Sequence, residues 1–114
     1  MSKKYLRKNE FRLDMNEKHF GNDKKPHPAY ITGKRGHKYK ANSITHSKKT
    51  TDGVDTILIS ENPNKAHSKF DKRKTRISPP FWQNENQFSK HKLSNFRFSN
   101  NTRKEIKKIN KKYK

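Results

Sequence analysis

Hydrophobic and polar residues alternate through the first half of the chain. Residues 10–15 have the two-residue period of a half-buried strand, and a polar loop at 16–26 follows them. Two further extended segments, 29–32 and 37–46, flank a Gly-Lys-Arg-Gly sequence that is typical of a hairpin turn. The pattern therefore predicts one strand followed by a β-hairpin.

The second half of the chain carries shorter apolar segments. Residues 54–59 form the most apolar segment and favour a central strand, and residues 75–78 favour a short strand. Two prolines then precede residues 81–88, which we expect to be irregular or briefly helical. Within the hairpin the alternation breaks at Ile44, which indicates a bulge near residues 42–43.

The last segment has the pattern of an amphipathic helix. Thr102 and Glu105 have the spacing of a capping box, although Ser99 or Asn101 could cap the helix instead. Apolar residues then recur at three- and four-residue spacing on a helix that we expect to span 102–113. Because such a helix is marginal in water, it should dock on the sheet. Antiparallel strands and a terminal helix indicate an α+β fold with a small β-barrel or curled sheet.

Composition narrows the fold to one small and strongly basic domain. The chain has 114 residues, with 30 Lys and Arg against 10 Asp and Glu, and a formal charge of +20. Only 25% of its residues are hydrophobic, which approaches the disordered class, but twelve aromatic residues allow a small core. We therefore expect a basic, disordered and mobile N-terminal arm at residues 1–9 and a single domain at residues 10–114.

The charge predicts a polyanionic partner. Repulsion among so many cations destabilises the free protein, and counterion release favours each Lys or Arg that approaches a nucleic-acid phosphate. We expect no membrane partner, because the chain has no apolar run of about 18 residues and its N-terminus lacks the apolar stretch of a signal peptide. The chain is therefore expected to be cytoplasmic.

Neither a metal nor a cofactor is expected. The chain has no Cys, and its six His residues do not follow a zinc-binding spacing, so we interpret them first as surface groups. The Gly-Lys-Arg-Gly turn is not followed by a helix and does not resemble a phosphate-binding loop.

Basic and aromatic side chains provide candidate contacts to nucleic acid. Aromatic rings can stack on unpaired bases, and although most are needed for the core, Trp82 beside Phe81 is the best candidate for an exposed ring. The basic hairpin turn can be either a solvated turn or a phosphate contact. The predicted nucleic-acid-binding residues are Lys34, Lys38, Lys40, His46, Lys48, Lys49, Lys72, Arg73, Lys74, Arg76 and Trp82.

The hairpin also carries groups suited to metal-independent cleavage of RNA. One group must take the proton of a ribose 2′-hydroxyl, and another must protonate the departing 5′ oxygen. A cation must stabilise the charge that develops on the phosphorane. Candidates that come from this one hairpin, and that can converge at its ends, are His27, Lys34, Arg35, Thr45 and His46.

Residues 10–113 resemble the PemK/MazF toxins, which are the endoribonucleases of type II toxin–antitoxin modules. His27-Pro28 lies where the family has Arg-Pro before an apolar strand, and Ile44-Thr45 lies where a later strand of the family ends in Ile-Thr. The C-terminal part, with a Leu-containing strand before a helix, is also similar.

The resemblance implies a small SH3-like antiparallel barrel with a C-terminal helix and an active site at His27 and Thr45, to which we add Arg35 as the third predicted catalytic residue. His27 can act as an acid or a base near neutral pH but lacks the permanent charge of Arg. Arg35 or Lys34 would therefore supply the cation. Family members commonly form homodimers and are inhibited by an acidic antitoxin protein, and we expect both kinds of partner besides RNA.

Two alternatives remain open. A non-catalytic nucleic-acid-binding protein, such as a ribosome-associated or mobile-element factor, explains the charge equally well. A phage-encoded inhibitor of a nucleic-acid-guided defence complex would also be strongly basic, because it must occupy a nucleic-acid channel or bind a guide RNA.

Overall fold

The computed structural model describes residues 8–20, 24–60, 75–93 and 97–113. It has an α+β fold, and its regular elements within these ranges are β1 (Phe11–Asp14), β2 (His27–Arg35), β3 (Lys38–Thr45), β4 (Ile57–Leu58), β5 (Arg76–Ile77), β6 (Phe81–Asn84) and the helix α1 (Asn100–Asn110). Single turns of 3-10 helix occupy Glu17–His19 and Glu85–Gln87. The predicted strand at residues 10–15 and the predicted hairpin are confirmed.

The six described strands form one antiparallel sheet in the order β1-β2-β3-β5-β4, with β6 also paired to β3. The strand β3 changes partner along its length, because residues 38–41 pair with β6 and residues 44–45 pair with β5. The register slips between Ile31 and Gly33 of β2. The irregularity therefore lies in β2, and the bulge predicted near residues 42–43 was wrong.

The described strands form an open sheet and not a closed barrel. The chain after β6 returns to β1 through one isolated bridge between Asp14 and Phe88. The Ser89 amide donates to the Leu13 carbonyl oxygen at 2.9 Å, so this return runs beside β1 for a short distance. The return adds no strand to the sheet, and the predicted closed barrel is replaced by an open sheet.

Both faces of the sheet are buried. On one face, the aromatic rings of Phe11, Tyr30 and Phe98 pack with centroid separations of 5.0 to 5.3 Å, and Ile106 of α1 joins them. On the other face, a second cluster consists of Ala29, Ile31, Tyr39, Ala41 and Phe88, with Phe81 beside it. Successive residues of β2 therefore enter different cores, as the two-residue period of a strand requires.

One prediction about the second half was wrong and another was met only in part. Only Ile57–Leu58 of the apolar segment is strand, and it lies at the end of the sheet order, so Val54 and Leu58 remain 48% and 43% exposed. The segment after the two prolines begins with β6, which pairs regularly with β3, and only its later part, Glu85–Gln87, is briefly helical as predicted. Strand position depends on the partners that a segment finds in the fold, which composition does not encode.

The helix α1 begins two residues before the predicted start. Ser99 is its N-cap and accepts from the Thr102 amide, so Thr102 lies in the first turn. Glu105 does not complete a capping box, because its carboxylate accepts from the amide and hydroxyl of Ser60 at 3.0 Å. The helix ends at Asn110, which leaves Tyr113 beyond it and 42% exposed.

The last residue of the predicted N-terminal arm, Asn9, forms a hydrogen bond with the sheet. Residues 1–7 lie outside the described residues, but the Asn9 amide donates to the Ile31 carbonyl oxygen at 2.8 Å. No helix in the described ranges is both long enough and apolar enough to cross a lipid bilayer.

Candidate active-site cavity

A cavity of about 310 Å³ lies at the open end of the β2-β3 hairpin. His27 is the first residue of β2 and Thr45 is the last residue of β3, and both line it. The antiparallel register that joins Ala29 to Ser43 brings these two strand ends to the same end of the sheet. The fold thus brings together two of the three residues that the sequence predicts as catalytic.

The chain reversal after β3 and the pairing of β1 with β2 position Thr45 and His27. The Thr45 hydroxyl oxygen accepts from the Ser47 amide at 3.0 Å, which holds the hydroxyl near the chain reversal after β3. His27 is half-buried and lies opposite Asp14 in the pairing of β1 with β2. Because paired residues of an antiparallel sheet point to the same face, His27 and Asp14 share one side of the sheet.

A second histidine, His19, also lines the cavity and is held by Asp14. Its Nδ1 lies 2.6 Å from Oδ2 of Asp14, whose side chain is buried. The other carboxylate oxygen of Asp14, Oδ1, accepts from the Asn16 amide at 3.0 Å and from Nε2 of Gln83 at 2.9 Å. A carboxylate with this many partners is fixed in place, so it sets the orientation of the imidazole.

The protonation of His19 follows from this contact. The hydrogen bond to Asp14 raises the pKa of His19 above its ordinary value of 6.5, against a smaller opposing effect of burial, and the charges of Asp14 and Asp52 act in the same upward direction. The ring also packs edge-on against Phe81, with centroids 4.9 Å apart. Since Nδ1 is engaged by Asp14, Nε2 is the nitrogen left for a ligand.

The sequence pattern did not identify this pair. His19 lies in a polar segment that predicts only a loop, and its single turn of 3-10 helix is capped by the Asn16 side chain. Asp14 occupies the phase of β1 opposite Phe11 and Leu13, which a half-buried strand would expose to solvent. Because both faces of β1 are buried, Asp14 is buried instead of exposed. The only local sign of the pair in the sequence is a carboxylate five residues before a histidine.

One predicted nucleic-acid-binding residue also lines the cavity. Lys49 is exposed, and its Nζ lies 2.7 Å from Oδ1 of Asp55. The hydrogen bond and charge of Lys49 lower the pKa of Asp55. Both side chains are largely in solvent, so the pair can separate at little cost when an anion enters the cavity.

Arg35 and Lys34 lie at the opposite end of the hairpin. The strand β2 is nine residues long, which separates its ends by roughly 25 Å at ~3.3 Å per residue. The Arg35 guanidinium lies 5.4 Å from the centre of the Trp82 ring, and the Lys34 ammonium lies 5.8 Å from that of Tyr39. Neither lines the cavity, so the expectation that one of them completes the His27 and Thr45 site is not met.

The other predicted contacts are spread over the surface. Lys38 and Lys48 are exposed, His46 is half-buried, and the Lys40 ammonium lies 6.0 Å from the Trp82 ring. Trp82 and Lys40 line a second depression together with Arg35, which we name the Trp82 groove.

The Arg76 guanidinium is held by hydrogen bonds within the fold. Its Nε and Nη2 donate to the hydroxyl and carbonyl oxygens of Thr56 at 2.8 and 2.9 Å, which ties β5 to the segment before β4. The predicted contacts Lys72, Arg73 and Lys74 lie outside the described residues.

Across the described ranges, no group of three His, Asp or Glu side chains is arranged to hold a metal ion. Comparisons of the chain with protein-family profiles, with curated proteins and with solved structures found no match.

Proposed function

We propose that the chain binds RNA and cleaves it at the cavity by metal-independent acid–base chemistry. The observation that carries this proposal is that one cavity is lined by His27, Thr45 and a second imidazole, His19, which the buried Asp14 orients. A charge of +20 supports a polyanionic substrate, because each neutralised phosphate releases counterions. We further propose a PemK/MazF-like endoribonuclease with an SH3-like arrangement of strands, on the resemblance at His27-Pro28 and Ile44-Thr45.

In this mechanism the two imidazoles have different roles. His27 takes the proton of the ribose 2′-hydroxyl, whose oxygen attacks the neighbouring phosphorus. Protonated His19 donates its proton to the 5′ oxygen as the bond between that oxygen and phosphorus breaks. The products are a 2′,3′-cyclic phosphate and a free 5′-hydroxyl, so protons and electron pairs balance within the step.

The assignment of these roles rests on the environment of His19. The raised pKa of His19 keeps a larger fraction of it protonated near neutral pH, which suits a general acid. The Thr45 hydroxyl can donate to a non-bridging phosphate oxygen, and Lys49 supplies a positive charge at the cavity rim. Lys49 thereby supplies the cation that was expected from Arg35 or Lys34.

The test is incubation of the purified protein with single-stranded RNA in EDTA, with the product ends identified by mass spectrometry. We expect fragments that end in a cyclic phosphate, and their loss in the His27→Ala/Thr45→Ala variant. His37→Gln is the matched control, because His37 is 87% exposed at the hairpin turn and outside the cavity. Intact RNA, or equal cleavage by the cavity variant, would exclude the enzyme.

A non-catalytic nucleic-acid-binding protein is the second candidate. The observation that favours it is the position of Arg35 in the Trp82 groove. The cavity therefore lacks the guanidinium that was expected to compensate for His27 in place of the family's Arg. This candidate predicts steeply salt-dependent binding and no cleavage. An acidic antitoxin and a homodimer remain predictions, which co-purification with the product of a neighbouring gene and light scattering would test.

A further inference from the structure

The Trp82 groove lies between the hairpin turn and α1 and has a volume of about 740 Å³. We propose that it binds single-stranded RNA, with bases stacked at Trp82 and the phosphate backbone running along α1. The choice of ligand rests on the proposed function, but binding at the groove does not require cleavage at the cavity.

Trp82 provides an aromatic platform at one end of the groove. Its ring is 42% exposed, although it projects from a regularly paired strand in which it lies opposite Lys40. Gly33 lies beside the ring, because a Cβ there would be in ordinary van der Waals contact with Cη2 of Trp82 at 3.8 Å. The Arg35 guanidinium lies over the Trp82 ring, 5.4 Å from its centre. Unpaired bases stack on both indole rings and guanidinium planes, so a base that enters the groove can stack on the guanidinium or replace it on the indole.

The charge of the groove is positive throughout. None of its described lining residues carries a carboxylate, and the cations among them are Lys8, Arg35, Lys40, Arg103, Lys107 and Lys111. None of these cations forms an ion pair with a carboxylate of the described ranges. A groove with positive walls and an exposed aromatic ring has the two features by which proteins hold single strands.

Three of the cations form a row along α1. Arg103, Lys107 and Lys111 are four residues apart, so each step advances about 6 Å along the helix axis. Like charges at this spacing destabilise a helix, and an anionic backbone lying along them would remove that repulsion. The helix dipole favours cations in the last turn, but it does not account for Arg103 at the start of the row.

The wall that carries this row is held rigidly. Asn110 and Asn42 exchange two side-chain hydrogen bonds of 2.9 and 3.0 Å, and Asn42 also donates to the Ser78 carbonyl oxygen at 2.9 Å. Nε of Arg103 donates to the Phe98 carbonyl oxygen at 2.9 Å. Because these contacts already exist in the free protein, a ligand does not have to order the wall when it binds.

A single strand fits the groove better than the other polyanions. The bases of a duplex are stacked inside it and cannot reach Trp82. An acidic protein segment would match the cations, but its carboxylates have no flat ring to stack on the exposed part of Trp82. The test therefore compares a single strand with a duplex and with polyglutamate.

The chain has one Trp, so its fluorescence reports on this groove alone. The probe is a 2′-O-methyl oligoribonucleotide of roughly 12 nucleotides, within the usual range for single-strand sites, which lacks the free 2′-hydroxyl needed for cleavage. We expect this probe to quench Trp82 fluorescence and to bind more tightly than the duplex or polyglutamate. Anisotropy of a labelled probe gives the affinity of variants that lack Trp82.

The decisive variants lie on two faces of the same helix. Lys107→Gln/Lys111→Gln removes two groove cations, and Lys104→Gln/Lys108→Gln removes the same charge from residues that do not line the groove. We expect the first variant to weaken binding about tenfold and to reduce the salt slope by about 1.4, at ~0.7 for each phosphate that is no longer neutralised. The second should change the affinity by less than about twofold, and Trp82→Ala should weaken binding about tenfold.

Equal effects of the two α1 variants would overturn the inference, because net charge alone would then explain binding. Polyglutamate that quenches Trp82 as strongly as the probe would also overturn it and would assign the groove to an acidic protein. Circular dichroism shows whether Trp82→Ala is folded. If it is unfolded, the two Lys variants alone decide the test. The probe separates the two proposals, because RNA cleavage without groove-dependent binding refutes only the groove, and binding without cleavage refutes only the enzyme.

Discussion

The cavity and the Trp82 groove differ in how their polar groups are held. In the cavity, Asp14 is almost fully buried and has three hydrogen-bond partners, and it fixes one ring nitrogen of His19. In the groove, the exposed Lys107 of α1 and the exposed Arg35 of the hairpin lie beside the half-buried Lys40, and no carboxylate of the described lining residues opposes them. The first arrangement restricts geometry, and the second concentrates charge.

This difference separates two tasks that one surface would perform poorly. Acid–base chemistry requires a proton donor at a fixed position, which a desolvated carboxylate can secure. Retention of a flexible polyanion requires many weak contacts that do not depend on one another's exact position. The β2-β3 hairpin carries both, with the cavity at its open end and the groove at its turn. We therefore expect mutations to affect one task at a time.

The largest effect is expected from the loss of the oriented imidazole. His19→Gln should reduce the rate of RNA cleavage by about 100-fold or more, because it removes the group that protonates the 5′ oxygen. Binding of the 2′-O-methyl probe should be unchanged. Initial rates on a short RNA measure the first quantity, and a variant that cleaves at the wild-type rate would remove His19 from the mechanism.

A second effect concerns the helix that forms the groove wall. Asn110→Ala leaves the buried Asn42 amide without two of its hydrogen bonds, which should lower the free energy of unfolding by ~1–3 kcal/mol. Probe binding should weaken, but cleavage of a dinucleotide should not change. Urea denaturation measures stability, with the exposed Asn101→Ala as the control. A stability loss confined to the control would contradict this account of how α1 docks.

A smaller effect concerns protonation of the cavity. Asp14→Asn should lower the pKa of His19, because Asp14 supplies both the hydrogen bond and the main charge that raise it. In the wild-type protein the raised pKa stabilises the fold fully at pH below 6.5, and this contribution is lost as pH rises through the folded-state pKa. NMR titration of the His19 ring measures the shift, and an unchanged midpoint in the variant would rule out control by Asp14.

The smallest effect is expected at the cavity rim. Lys49→Gln breaks the exposed contact with Asp55 and should leave the thermal midpoint unchanged, because solvent screens such pairs. Cleavage should fall only modestly, since Lys49 supplies charge without a fixed position. Calorimetry and initial rates measure both quantities, and a large drop in the midpoint would show that the rim is part of the structural core.

The sequence predicted local features better than tertiary ones. The first strand, the hairpin and the terminal helix follow from alternation, from a Gly-containing turn and from helical spacing, all of which are properties of neighbouring residues. The most apolar segment contributes only Ile57–Leu58 at the sheet edge, and the start of α1 depends on Ser99 rather than Thr102. Long-range strand pairing decided the first, whereas the second was settled by the local Ser99 cap, one of the caps that the sequence allowed. Glu105 accepts from the distant Ser60 amide and so does not complete a capping box.

The same division applies to function. Net charge and the residues at the two hairpin ends depend on sequence alone, and they suffice to predict a polyanion partner and to associate His27 with Thr45. Only the tertiary structure decided that Arg35 lies beside Trp82, and that a buried aspartate brings His19 to the cavity. The reason is physical: an antiparallel hairpin keeps its turn far from its open end, and side-chain hydrogen bonds such as that of His19 to Asp14 join residues that no sequence pattern links.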